Sequence, residues 1–145
     1  TSANASVGNY FMLNVILHTQ PMNPLVSCSG TGATTDARNY GMTIAAMTQY
    51  AKTIGMTDSS GIVTAMMDDA SDGVMNGMMG STQISMGGMS GSGMTGTMQS
   101  TAGTSGLAKA MTTFINNTSV NKSGLTTTDM QTLINQLNTS NGTIQ

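Results

Sequence analysis

The chain has 145 residues, four basic and six acidic side chains, a net charge of −2, and sixteen methionines beside no tryptophan. Its length suits one domain able to bury most of its apolar surface, and its basic residues, scattered at Arg38, Lys52, Lys109 and Lys122, make no stripe that would neutralise phosphates, which argues against nucleic-acid binding. Charged residues are 7% of the chain against about 25% in typical soluble domains, so Ser, Thr, Asn and Gly do the solvating, and copies repel one another little; that composition fits an extracellular, assembling protein.

The first expected element, Val7 to Leu17, is apolar at nearly every position and reads as a buried strand or as a short helix capped by Ser6. Its longest apolar run, Tyr10 to Leu17, falls well short of the roughly 20 residues that span a bilayer, so no transmembrane segment is expected. Pro21-Met-Asn-Pro24 ends it, and a Ser/Thr/Gly loop covers Ser27 to Thr35. From Asp36 to Ile54 the residues Tyr40, Ile44, Met47, Ala51 and Ile54 fall at helical spacing, with Thr34 or Thr35 as N-cap and Gly55 as a left-handed stop. A second helix is expected through Ile62, Val63, Met66, Met67 and Ala70, capped within Thr57 to Ser60 and closed by Gly73; the two form a helical hairpin.

Between about Gly73 and Gly103 glycine and methionine dominate without helical or strand period. A helix there would lose roughly 1 kcal/mol at each interior Gly relative to Ala, so the segment reads as a long loop that is ordered only where its methionines find partners. Helical grammar then returns. Leu107, Ala110, Met111, Phe114 and Ile115 form a stripe behind a Ser105 cap and end at Asn116-Asn-Thr-Ser119. Met130, Leu133, Ile134 and Leu137 follow a capping box of Thr126 and Asp129, with Leu125 placed to staple onto Met130. The fold expected is mainly α: a small bundle of two helical hairpins in a single domain over 1–145, with an apolar N-terminal segment and loop at 1–35, hairpins at 36–73 and 105–140, and the Gly/Met-rich loop at 74–104.

Asn39-Tyr-Gly-Met-Thr-Ile-Ala-Ala-Met-Thr-Gln-Tyr50, followed by Ile62 to Gly77 and by the Ser123-Gly-Leu-Thr-Thr-Thr-Asp129 approach to a helix, resembles the helical domain of large bacterial cell-surface lipoproteins, over about residues 21 to 138. The methionine enrichment departs from that pattern. The resemblance implies a secreted or cell-surface module without assigned chemistry.

The single Cys28 excludes an internal disulfide and leaves a free thiol, an intermolecular bridge or a lipid attachment. Leu25-Val-Ser-Cys28 has the look of a lipobox, yet the preceding stretch lacks Lys and Arg and is interrupted by His18, Gln20, Pro21, Asn23 and Pro24; a small, buried or partly buried loop thiol is the expectation. A first residue of Thr rather than Met fits a processed, secreted protein. Six Asn-X-Ser/Thr sequons, at Asn4, Asn116, Asn117, Asn121, Asn138 and Asn141, permit glycosylation without indicating it.

Catalysis is not expected. The chain has one histidine, His18, in its least patterned segment, and no glutamate at all, so general acid–base work would rest on aspartates alone. Asp68, Asp72 and Asn76, with Asp69 in the same cluster, are the candidates for Ca²⁺, because hard cations need several converging oxygens; their spacing departs from the EF-hand loop, and the alternative is a set of solvated carboxylates at a helix C-terminus. Met75, Met78, Met79, Met86, Met89, Met94 and Met98 resemble the thioether motifs that bind Cu(I) or Ag(I) in secreted copper-handling proteins, although those usually add histidine. The same residues would otherwise pack onto a neighbouring copy or onto the helical bundle, since methionine suits adaptable contact surfaces; with Phe11 and Leu13 they are the candidates for an interface between copies. Two functions follow: a secreted or cell-surface structural protein that self-assembles into, or coats, a filament or surface layer with no cofactor, and alternatively an envelope protein that binds soft metal.

Overall fold

The computed structural model describes residues 3–56, 60–86 and 96–144. The chain is mainly α, with helices α1 (Ala3–Tyr10), α2 (Thr35–Thr53), α3 (Ser60–Ala70), α4 (Ser105–Asn116) and α5 (Gln131–Thr139), and four two-residue strands, β1 (Met78–Met79), β2 (Thr82–Gln83), β3 (Ser85–Met86) and β4 (Gly96–Thr97). Helix α4 is central, packed against α2 on one side and α5 on the other, while α3 touches α2, β1 and β3.

The ends of α2 follow from local chemistry. Thr34 adopts an extended conformation and its hydroxyl accepts the Ala37 amide at 3.1 Å, satisfying one of the N–H groups that the first turn leaves without a partner. Gly55 stands at φ 83° and donates to the Lys52 carbonyl while Met56 donates to Ala51, so the chain leaves the helix through a left-handed residue, as expected. Of the stripe read in the sequence, Ala51 is buried and Tyr40, Met47 and Ile54 are partly buried against the core, but Ile44 is 44% exposed, and Asn39, Gly41, Met42, Thr43, Ala45, Ala46 and Tyr50 are covered as well. Small side chains decide this, because they let other backbone come close: the Met22 carbonyl sits where a Cβ on residue 41 would be.

The C-terminal helices match their stripes. Leu107, Ala110, Met111, Phe114 and Ile115 are all buried, as are Met130, Leu133 and Leu137. The Thr126–Asp129 capping box is formed reciprocally: Thr126 donates its amide and its hydroxyl to Asp129 Oδ2, at 2.8 and 3.0 Å, and the Asp129 amide reaches back to the Thr126 hydroxyl at 3.4 Å. The N-cap of α4, however, is Thr104 rather than Ser105, and makes no side-chain cap bond.

In the N-terminal segment α1 ends at Tyr10, and Tyr10, Phe11 and Leu13 turn into the core. Tyr10 and Phe11 stack edge to face with centroids 5.0 Å apart. The Cys28 expectation is corrected: the thiol is exposed, in a loop tied down through backbone bonds from Cys28 to Lys122 and from Gly30 to Ser123.

Among the described residues between Gly73 and Gly103, two short antiparallel pairs interrupt the expected loop; residues 87–95 are not among them. β1 meets β2 with Met78 opposite Gln83 and Met79 opposite Thr82, and β3 meets β4 with Ser85 opposite Thr97 and Met86 opposite Gly96. Gly80 opens the first turn at φ 63°, the left-handed conformation that two-residue hairpin turns need at their first central position. The C-terminal tail pairs with the same segment: Val74 bridges Thr143, Met75 donates to the Gly142 carbonyl at 2.7 Å and Ile144 to Gly73 at 2.8 Å.

Candidate functional site

The segment after α3 is organised by two aspartates from the end of that helix. Ile62, Met66 and Asp69 share one helix face at spacings of four and three, and all are buried, so the face that packs inward carries a carboxylate with it. Asp69 Oδ1 accepts the amides of Asn76 at 2.9 Å and Gly77 at 2.7 Å, folding the chain back against α3. Its Oδ2 has no hydrogen-bond partner among the described residues. Burial pushes the Asp69 carboxyl above its ordinary range, the backbone amides of Asn76, Gly77 and Met78 pull it down, and the nearby Asp72 charge adds to the rise; burial prevails. Asp72, on the exposed side, accepts the Val74 amide on Oδ1 and the Gly80 amide on Oδ2, the latter at 2.7 Å.

The candidate cation ligands have the following partners. Asp72 binds backbone N–H groups, the side-chain oxygen of Asn76 accepts the Met78 amide at 3.0 Å, and Asp68 lies half-buried beside the chain reversal, its carbonyl taking both the amide and the hydroxyl of Ser71. Among the described residues no three Asp, Glu, His or Cys side chains gather into a group able to hold a metal ion. Asp69 Oδ1, both Asp72 carboxylate oxygens and the Asn76 side-chain oxygen thus meet donors of the chain itself.

The expected contact residues divide. Met75, Met86 and Met98 are 2%, 5% and 1% exposed and belong to the same core as α2, α4 and α5, together with Phe11 and Leu13. That corrects their assignment to contacts between copies: each lies under its own chain, and unbranched methionine suits it to fill the irregular space beneath a glycine-rich backbone. Met78 is half-buried and Met79 is 48% exposed; Met89 and Met94 lie outside the described residues. Sequence reading placed Val63 and Met67 with the inward face of α3, yet they are 47% and 68% exposed. Because α3 packs against β1, Val63, Met67 and Met79 belong to neighbouring elements and leave three sizeable apolar side chains in solvent. Ile62 and Met66 supplied the only signal that would have found them: once these face inward, Val63 and Met67 lie about 100° away round the helix.

His18 is exposed in the connection between α1 and α2. Of the sequons, Asn121 is buried and its amide donates to the Ile115 and Leu125 carbonyls at 2.9 and 3.1 Å, leaving it no path to a glycan. No helix among the described residues is long and apolar enough to cross a membrane. No protein-family model matches the chain, and no curated protein or solved structure does.

Proposed function

We propose that the protein is a secreted or cell-surface structural subunit, without catalytic activity, that self-assembles into, or coats, an extracellular filament or surface layer. The observation that carries the reading is the exposure of Val63, Met67 and Met79 on two packed elements of a chain whose charged residues are only 7%. Water is displaced when such side chains meet a second copy, and few charges oppose the approach. The body behind this face is read as two helical hairpins, α2–α3 and α4–α5, covering each other across the α2–α4 contact. The resemblance to lipoprotein helical domains and the hydroxyl- and amide-rich surface support the extracellular placement.

The test is sedimentation velocity across a wide concentration range for the parent chain and the double variant Met67→Asp/Met79→Asp. Both positions are exposed, so helicity by circular dichroism should persist while self-association falls at least tenfold. A parent chain that stays monomeric to high micromolar concentration, or a variant that assembles like the parent, refutes the assignment.

A further inference from the structure

Along α2, beside its Met42 and Ala46 core contacts, lies an apolar groove of about 390 Å³, within the range of small-ligand sites. Met22 and Leu25 form one wall, Ile44 and Ala45 line the groove from α2, and Phe114 and Val120 contribute from α4 and the turn beyond it. Leu25 and Ile44 are 60% and 44% exposed, so large apolar side chains face water on both rims. The polar groups are unevenly placed. Thr48, Gln49 and Lys52 come from the last turns of α2 and Asn23 from the segment beside Met22, so the charge sits at the Lys52 end, while the Met22 carbonyl crosses Gly41 toward the other. From Gly41 to Lys52 the helix rises about 16 Å at 1.5 Å per residue. An apolar trough of that length with a single cation at one end complements a molecule with one apolar tail and one negative head.

A second copy of the chain fits this charge pattern poorly. Asp36 is engaged by the Asn14 amide and side chain and by the Val15 amide, Asp69 and Asp72 hold the segment after α3, and Asp129 accepts the Thr126 amide and hydroxyl in the turn before α5. Among the described aspartates only Asp68 is left to meet Lys52. We propose that the groove binds single-chain amphiphiles with an anionic head, the tail lying along α2 over Ile44 and Phe114 and the head meeting the Lys52 ammonium beside the Thr48 hydroxyl. Buried apolar area supplies most of the affinity, and the exposed charge pair selects the head group.

The experiment titrates the full chain with a fluorescently tagged dodecanoate below its micelle concentration. Tagged dodecyltrimethylammonium and phosphatidylglycerol vesicles are run in parallel. Saturable one-to-one binding is expected, with the carboxylate preferred over the cation about fivefold and that preference abolished by Lys52→Gln, in line with the modest energy of an exposed ion pair. Ile44→Asp, on an exposed helical position, is expected to weaken dodecanoate at least tenfold at unchanged helicity. Absence of saturable binding, head-group indifference in the parent chain, or an Ile44→Asp variant that binds like the parent overturns the proposal. So does binding to vesicles alone, which would make the groove a membrane contact, and so does loss of self-association in Ile44→Asp without dodecanoate binding, which would make it an interface between copies. The assembly variants at Met67 and Met79 lie elsewhere and leave this binding intact.

Discussion

Replacing Asp69 with alanine should cost about 3 kcal/mol of folding stability. The side chain is fully buried and Oδ1 is the acceptor for two backbone amides, Asn76 at 2.9 Å and Gly77 at 2.7 Å. Alanine leaves both donors without a partner, each at about 1–3 kcal/mol where water cannot reach; Gly77 is buried and Asn76 only half so, which places the sum near the middle of the range. Loss of a buried charge with an unpartnered Oδ2 offsets part of it. Out of a total of about 5–15 kcal/mol the remainder is large, and for a domain near 150 residues it lowers Tm by roughly 6–12 °C. Asp69→Asn keeps an acceptor oxygen and should fall between the parent and the alanine variant. The pair also reads out the proton. Because the folded carboxyl titrates above the ordinary value of 3.8, the folded state holds more protons than the unfolded one as pH rises from there, and stability is lost as pH climbs through the folded value. Asparagine does not titrate, so its Tm relative to the parent should improve as pH rises above the ordinary carboxylate value and level off once pH has passed the folded value. Thermal denaturation by circular dichroism across that range measures both effects. An alanine variant within about 0.5 kcal/mol of the parent, or an asparagine-to-parent difference that is flat in pH, refutes the account.

Asp129 behaves in the opposite sense: its bonds from Thr126 hold the carboxyl below the ordinary range, so its contribution is present at neutral pH and is lost as pH falls through the folded value, which a Thr126→Val/Asp129→Asn variant should erase in acid titrations. Met98→Ala should destabilise by about 2–5 kcal/mol because its side chain is 1% exposed, whereas Met79→Ala should change denaturant midpoints by less than about 0.5 kcal/mol; equal effects would contradict the division of the segment into core and surface. Gly142→Ala places a Cβ against the Met75 carbonyl at a residue with φ 89°, and should detach the tail, read as faster amide exchange at Met75 and Ile144. With Met75, Met86 and Met98 committed to packing, titration with Cu(I) under reducing conditions should show nothing tighter than micromolar; stoichiometric tight binding lost in Met86→Leu/Met89→Leu would restore the soft-metal reading.

Local chemistry marked α2, α4 and α5, while α1 stayed open between strand and helix and ends at Tyr10 rather than Leu17. Thr34 and Gly55 bound α2, and the Thr126–Asp129 box prepares α5, because capping depends on residues a few positions apart whose hydrogen bonds are met within one turn. The stripe of α4 was legible for a related reason: Leu107, Met111 and Phe114 are large and unambiguous, so periodicity alone orients them. Tertiary structure decided the rest. On α2, Gly41, Thr43, Ala45 and Ala46 are covered beside Met42 and Tyr50, and no hydrophobic count ranks those small residues above Ile44; the crossing of Met22 over Gly41 does. On α3, Ile62 and Val63 have equal apolarity, and burial of Asp69 through amides seven and eight residues further on selects Ile62. The glycine- and methionine-rich stretch has no period because each residue answers to a different neighbour: Met75 to the tail at Gly142, Ile84 to Gly77 and Met98, and Met86 to Gly96. Those partners are distant in sequence or lie across turns whose geometry depends on left-handed glycines, so their pairing is fixed only when the core closes.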